Sequence, residues 1–202
     1  MINSSGNFNN ILTIPPMSTS GKLELIIGNM FSGKSTELIR RYNREKTLQK
    51  KIMVVNYYLD SRYSLDDNVV THDKNSISGI KLTKLYTLLD PDILKKYDSF
   101  FIDEGQFFID LYSVVSSLVD VHHKHVVVAG LDGDYNRKCF GDLNSLIPIC
   151  DTVDKYSAYC NKCNNGTYGP FTKKLLSNTD SPVIEIGGKE LYIPVCRYHY
   201  LN

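Results

Sequence analysis

Between residues 20 and 150 the chain alternates short, continuous apolar runs with longer stretches of helical period. The runs are KLELIIG (22–28), KIMVVNYY (51–58), SFFID (99–103) and KHVVVAGLDG (124–133). Runs of this length predict buried strands, the last ending in a turn. Leu38, Ile39, Tyr42 and Leu48 recur at roughly helical spacing, with Arg and Lys between them, which predicts a helix after the first strand. LLDPDILKKY (88–97) predicts a second helix, with Asp90 as N-cap and Pro91 at the first helical position. Residues 109–122 predict a third. The polar stretch LDSRYSLDDNVVTHDKNS (59–76) is expected to be loop. Strand–helix alternation at this spacing implies an α/β fold, a parallel sheet with helices on both faces.

From Asp151 the pattern changes. Short strands, Gly, Asn and paired Cys replace the βα units. The expected division is a flexible N-terminal tail (1–20), an α/β domain (21–150) and a small second lobe (151–202). The 202 residues suffice for one such domain and an appendage. Lys plus Arg is 23 and Asp plus Glu is 22, a net charge of +1 that gives no prior for nucleic acid or a membrane surface. The apolar runs fall far short of the ~20 residues of a membrane span. The start, MINSSGNFNNILTIPPMSTS, has no basic n-region and no continuous apolar h-region, so no secretory leader is expected and the cytosol is the default compartment. Thiols stay reduced there, so the five Cys do not read as a disulfide framework.

Gly28 to Ser35, GNMFSGKS, matches G-x-x-x-x-G-K-[ST] between a predicted strand and a predicted helix. Glycines let successive N–H groups turn inward around phosphate oxygens, at a helix N-terminus that favours anions. Lys34 would reach the β/γ-phosphates and Ser35 would offer its hydroxyl to Mg²⁺. A phosphate-loop protein also needs an acidic residue at the end of a nearby strand for that ion, and FFID supplies Asp103. Mg²⁺ does not require the adjacent Glu104. That side chain suits a base for a hydroxyl acceptor, a base for water, or a helix N-terminal acid favoured by the macrodipole, and the spacing leaves these open.

CNKC supplies Cys160 and Cys163, and CRYH supplies Cys196 and His199. Two knuckles in one short lobe make a Cys₃His set, the composition of a closed structural zinc site. A redox dithiol at Cys160 and Cys163 would leave Cys196 and His199 unexplained. Cys139 and Cys150 are expected to be ordinary small hydrophobes. The segment 164–195 lies between the knuckles, so a metal would pin both of its ends.

The phosphate loop, DEGQFF, the paired knuckles and an IGG four residues before Tyr192, in this order, resemble the type II thymidine kinase family, the zinc-containing cytosolic and poxvirus-type enzymes. DSRYS, THD and LDG…RK.FG look like further blocks of it. The resemblance implies a RecA-like P-loop NTPase domain and a small C-terminal zinc-binding lobe carrying a lasso loop. It implies ATP-dependent phosphorylation of thymidine at the 5′-hydroxyl, with Mg²⁺ and structural Zn²⁺, in deoxynucleotide salvage. ATP and Mg²⁺ would be met by Gly28, Asn29, Met30, Phe31, Ser32, Gly33, Lys34, Ser35, Asp60, Ser61, Arg62, Asp103 and Gln106. Glu104 would be the base. Thymidine would be met by Met30, Phe107, Leu131, Tyr135, Phe140, Val183, Ile184, Glu185, Ile186, Gly187 and Tyr192. A homotetramer (or dimer) and feedback by thymidine triphosphate (dTTP) are further implications.

The chain departs from the pattern at four positions. Asn29 stands where the family usually has Pro, Tyr135 where Phe is common, Cys139 where Pro is usual, and His199 where many members have Cys. Two other classes compete: a phosphate-loop ATPase with a zinc-ribbon nucleic-acid module, which should carry a basic patch, and a nucleoside-binding regulator without catalysis. The balanced charge argues against the first, and intact Lys34, Ser35, Asp103 and Glu104 against the second.

Overall fold

The computed structural model describes residues 20–58, 68–70, 76–175 and 191–202. The predicted tail up to residue 19 lies outside them, as do Asp60, Ser61, Arg62, Val183, Ile184, Glu185, Ile186 and Gly187. Along the chain run β1 (Lys22–Gly28), α1 (Lys34–Lys46), β2 (Ile52–Tyr57), β3 (Asn68–Val70), β4 (Ser76–Ser78) and β5 (Ile80–Leu82). Next come α2 (Pro91–Lys96), β6 (Ser99–Ile102), α3 (Leu111–Ser116), β7 (His125–Leu131) and β8 (Thr152–Tyr156). The terminal lobe adds β9 (Ala158–Tyr159), β10 (Tyr168–Gly169), β11 (Phe171–Lys174), β12 (Tyr192–Val195) and α4 (Arg197–Leu201).

Six strands form one parallel sheet in the order β5-β2-β6-β7-β1-β8. All four apolar runs are in it, and each is buried over most of its length. Side-chain alternation divides them between two layers. Phe100, Ile102, Val126 and Val128 pack with Leu111, Val114, Val115 and Leu118 on one face. Phe101, Val127 and Ala129 pack with Leu38 and Ile39 of α1 on the other.

Asp90 caps α2 as expected, its side chain accepting from the N–H groups of Asp92 and Ile93. The third predicted helix is α3, continued by a π turn over Ser117–Val121. Three places differ from the sequence reading. Leu48 falls in the turn after α1 and is exposed, because the helix ends at Lys46. The stretch expected as loop holds β3, which pairs antiparallel with β4. TVDKY (152–156), grouped with the terminal lobe by composition, pairs along β1 as the sixth strand of the main sheet. It is an edge strand with largely exposed residues, so it lacks the apolar signature of its neighbours.

Parallel strands carry all their C-terminal ends to one edge, where α/β proteins place their ligands. That edge brings together Gly28 of β1, Leu131 of β7 and the Asp103–Glu104 pair that follows β6. Only β7 separates the phosphate-loop strand from the strand of the acidic pair.

Candidate active site

Residues 29–33 leave β1 and close on α1 through Gly33, whose φ of 85° is the left-handed conformation glycine adopts without strain. Gly28, with φ 150°, is fixed by its conformation and by space as well. A Cβ there would stand 2.2 Å from the carbonyl oxygen of Tyr156 in β8. Phe31, with φ 65°, holds a left-handed conformation that costs a non-glycine residue free energy and clusters at functional turns. No side chain caps α1, and its first helical bond runs from Glu37 N–H to Gly33 O. The preceding first-turn amides therefore have no partner inside the helix and can meet an anion. Lys34 is nearly buried at the start of α1, and its Nζ donates to the carbonyl of Asn29 at 2.7 Å. Ser32 Oγ donates to the same carbonyl at 2.8 Å.

Asp103 is buried, and its Oδ1 accepts the N–H of Glu104 at 2.9 Å. Glu104 has φ 53° and ψ 41°, so the chain turns sharply between the two carboxylates. The helical segment it opens is one 3₁₀ turn, Gly105–Phe107, and the Glu104 side chain makes no capping bond to it. The Glu104 carboxylate instead accepts from Gln106 Nε2 at 2.5 Å. Gln106 is itself buried, and its Oε1 accepts the N–H of Leu131 at 2.9 Å. The amide thus spans from the carboxylate to the end of β7.

Phe107 follows directly. Its ring stacks on Tyr57 at 5.2 Å and meets Phe140 edge-to-face at 5.3 Å. These aromatic contacts form an apolar wall beside the carboxylates. Tyr135 and Tyr192 come within 6.2 Å of each other, with Lys174 Nζ 5.5 Å above the Tyr135 ring. Tyr192 and Leu131 are nearly buried, while Met30, Phe107, Tyr135 and Phe140 are partly exposed. Among the described residues the sequence reading did not single out Tyr57 or Thr172. Tyr57 sits at the end of a strand in an apolar run that signals only a core. Thr172 Oγ1 accepts the N–H of Met30 at 3.2 Å, a contact 142 residues apart that no local pattern encodes.

In the terminal lobe the ligand atoms of Cys160, Cys163, Cys196 and His199 all lie within 4.8 Å of one another. Cys163 Sγ and Cys196 Sγ are 3.8 Å apart, and His199 Nδ1 lies 3.4–3.5 Å from the three sulfurs. A tetrahedral site with Zn–S bonds of about 2.3 Å and a Zn–N bond of about 2.0–2.1 Å has S···S edges of about 3.8 Å and S···N edges of about 3.6 Å. The donor set fits a tetrahedral ion in both chemistry and spacing, and the three Cys are free thiols. Burial raises the Cys160 thiol, but backbone N–H groups of Cys196 and Cys163, with His199, overcome it and hold the thiol at about 6. Burial and the neighbouring Cys160 and Cys196 push Cys163 up to about 11. Deprotonating all three together calls for a cation between them. Of the other two cysteines, Cys150 packs against the main core as expected, whereas Cys139 is exposed and is no part of a core.

The lobe is docked on the sheet domain by a second group of contacts. Tyr200 Oη donates to the carbonyl of Tyr135 at 2.8 Å. The Arg137 guanidinium lies 4.2 Å from the Tyr200 ring centroid and 5.4 Å from that of Phe171.

The family model described as thymidine kinase matches residues 21–200. The chain is 41% identical over 186 residues to thymidine kinase a of Arabidopsis thaliana, covering 91% of this chain and 76% of the plant protein. It is 40% identical over 182 residues to the thymidine kinase of raccoon poxvirus, covering 90% of this chain and 98% of the viral one. The same identity and coverage hold for the thymidine kinase of vaccinia virus strain Western Reserve. With the match spanning sheet, phosphate loop and the lobe of the Cys/His group alike, the chain belongs to the thymidine kinase family.

Proposed function

We propose that this chain transfers the γ-phosphoryl group of ATP to the 5′-hydroxyl of thymidine, giving thymidine monophosphate and ADP. The observation that supports it best is the arrangement at the sheet edge. A carboxylate held by Gln106 stands at the end of β6, beside the Phe107–Phe140 wall and one strand removed from the phosphate loop. A carboxylate beside an apolar wall suits a bound hydroxyl better than bulk water.

In this reading the first-turn amides of α1 and Lys34 hold the triphosphate, and Ser35 and Asp103 are the residues that would hold Mg²⁺. The ion supplies charge neutralisation across the β- and γ-phosphates when it is bound. Thymine and sugar lie against Phe107 and Phe140, with Met30, Leu131, Tyr135 and Tyr192 completing the lining. Glu104 accepts the proton of the 5′-hydroxyl as its oxygen bonds to the γ-phosphorus. The bond from that phosphorus to the bridging oxygen breaks, and ADP leaves with the electron pair. Asp60, Ser61 and Arg62 approach the triphosphate, where Arg62 offsets charge in the transition state. The segment 183–187 reads the base through its backbone. Zn²⁺ is the ion for Cys160, Cys163, Cys196 and His199, where it pins the two ends of the lasso. The reading includes a cytoplasmic salvage enzyme, a homotetramer (or dimer), and feedback by dTTP.

Glu104→Gln tests the base. The variant should bind thymidine nearly as the parent does while kcat falls by ~10²-fold or more. Near-normal kcat in the variant removes Glu104 from the role. Incubation with ATP and each nucleoside in turn tests the substrate, with thymidine and deoxyuridine phosphorylated well and deoxycytidine poorly. ATP hydrolysis stimulated by DNA, with no nucleoside phosphorylated, would replace this reading with a nucleic-acid motor.

A further inference from the structure

Asn29 faces two ways. Its side chain is buried and spent at both ends on the terminal lobe: Nδ2 donates to Gly169 O of β10 at 2.9 Å, and Oδ1 accepts the N–H of Ala158 in β9 at 3.3 Å. Its carbonyl oxygen points back into the phosphate loop, where it accepts from Lys34 Nζ and Ser32 Oγ. The next residue repeats the link, since Met30 N–H donates to the buried Thr172 of β11.

The lobe end of this link leads to the metal ligands. Gly169 lies so close to Cys160 that a Cβ on it would stand 2.8 Å from Cys160 Cα. Cys160 N–H also donates to Thr167 O at 2.7 Å, just before β10. The strands β9 and β10 have two residues each, too few to hold a hairpin in place unaided. Among the described residues the buried apolar cluster beside them is Cys160, Ile193 and Val195, with Phe171 and Tyr200 partly buried against it. The position of the hairpin is therefore set by the Cys160 turn, and the position of that turn by what the cysteines ligate.

We infer that Asn29, assisted by Thr172, is a positioning residue that couples the lobe's metal to Lys34, so that affinity for the triphosphate depends on the metal. The inference rests on the phosphate loop being the ATP site, and its test does not require thymidine to react. Coupling of two binding events is reciprocal, so bound triphosphate also retains the metal by the same factor.

The experiment is a fluorescence titration of full-length protein with a mant-labelled ATP and excess Mg²⁺, before and after a zinc-selective chelator. Metal removal should weaken binding by the wild type about tenfold, the ratio that goes with one buried hydrogen bond misplaced. Asn29→Ala should lose about tenfold with zinc in place, and chelation should then add less than about twofold, the non-additivity expected of two changes on one path. Thr172→Val should lose about threefold and Thr172→Ser, which keeps the hydroxyl, should recover it to within about twofold. If Asn29→Ala fails to fold, that pair reads the coupling: chelation should cost Thr172→Ser about as much as the wild type and Thr172→Val less, and equal losses in both overturn the inference. Wild-type affinity that is indifferent to zinc, or an Asn29→Ala variant that loses as much on chelation as the wild type, overturns the inference alone. A zinc-loaded wild type that does not bind the nucleotide overturns the phosphate-loop reading and the inference with it.

Discussion

The sheet domain and the terminal lobe are held together by different means. In the sheet, Phe100, Phe101, Ile102, Val126, Val127 and Val128 are fully buried and feed two apolar layers. In the described part of the lobe the buried hydrophobic cluster is Cys160, Ile193 and Val195, and one of those three belongs to the Cys/His group that could hold a metal ion. Burying an aromatic or aliphatic side chain contributes about 1.5–3 kcal/mol, so a cluster this small offsets little of the entropy of ordering the described residues around it. The difference teaches where each region is vulnerable. The sheet is held by packing, and the described lobe pairs a small cluster with four donor atoms that could hold an ion.

The sharpest way to break the comparison is to remove the metal. Structural zinc contributes ~10–16 kcal/mol of apparent binding energy to small domains of this kind. Chelation, or Cys196→Ser, should abolish amide protection in residues 158–175 and 191–202 while protection in β1, β6 and β7 persists. Hydrogen exchange followed by mass spectrometry reads both regions at once. Equal loss of protection in both would mean that the sheet also depends on the ion, and elemental analysis finding no zinc in freshly purified protein would remove the ion from the account.

The two regions also differ in what the sequence could disclose. Strands buried on both faces leave continuous apolar runs, so β1, β2, β6 and β7 were legible. The edge strand β8 pairs on one side only, and TVDKY reads as surface. The Cys/His group was legible because each pair sits within one turn and their spacing is local. Asn29 was visible only as a phosphate-loop residue. Its partner Gly169 lies 140 positions away, and nothing in a loop's own composition announces such a bond. For Glu104 the residue types left base and cap open. What they could not encode is the left-handed turn that denies it a capping bond and the Gln106 amide that holds it.

A packing defect tests the other half of the comparison. Phe101 is fully buried, touches Tyr42 of α1 edge-to-face at 6.1 Å and lies within the layer under that helix. Phe101→Ala should cost about 3–5 kcal/mol, from lost transfer energy and the cavity left behind. The urea midpoint should fall while zinc content stays at its wild-type value. Zinc lost in proportion to stability would mean that the lobe does not hold its ion independently of the sheet.

The smallest expected effect concerns the edge of the sheet opposite the site. His125, at the start of β7, lies between two carboxylates: its Nε2 is 3.2 Å from Glu24 and its Nδ1 is 2.6 Å from Glu45. Both ring nitrogens must carry protons to donate to both partners, so this arrangement favours imidazolium. Burial lowers the basicity of His125, but Glu24 and Glu45 overcome it and hold its pKa above the usual value. Glu24 is held below the usual carboxylate range by His125 first, against burial, with help from Lys22. Glu45 is raised by burial, but His125, Ser99 and Lys50 bring it down to about 2. Arg41 also faces this group, bridging Glu24, Glu37 and Asp154. A raised His contributes stability that is complete below its unfolded value, ~6.5, and is lost as pH rises through the folded value. Lowered carboxylates contribute stability present above their unfolded values, ~4.3, and lost as pH falls toward the folded ones. The cluster should therefore stabilise most between about pH 4.5 and 6.5. Its contribution should be on the order of 1 kcal/mol, since the groups are only partly buried. Urea midpoints from pH 5 to 9 should fall in the wild type above pH ~6.5, and the fall should be absent in His125→Gln. Parallel curves for the two proteins would mean that His125 is neutral in the fold and that the ion pairs of this edge rest on Arg41 and Lys22 instead.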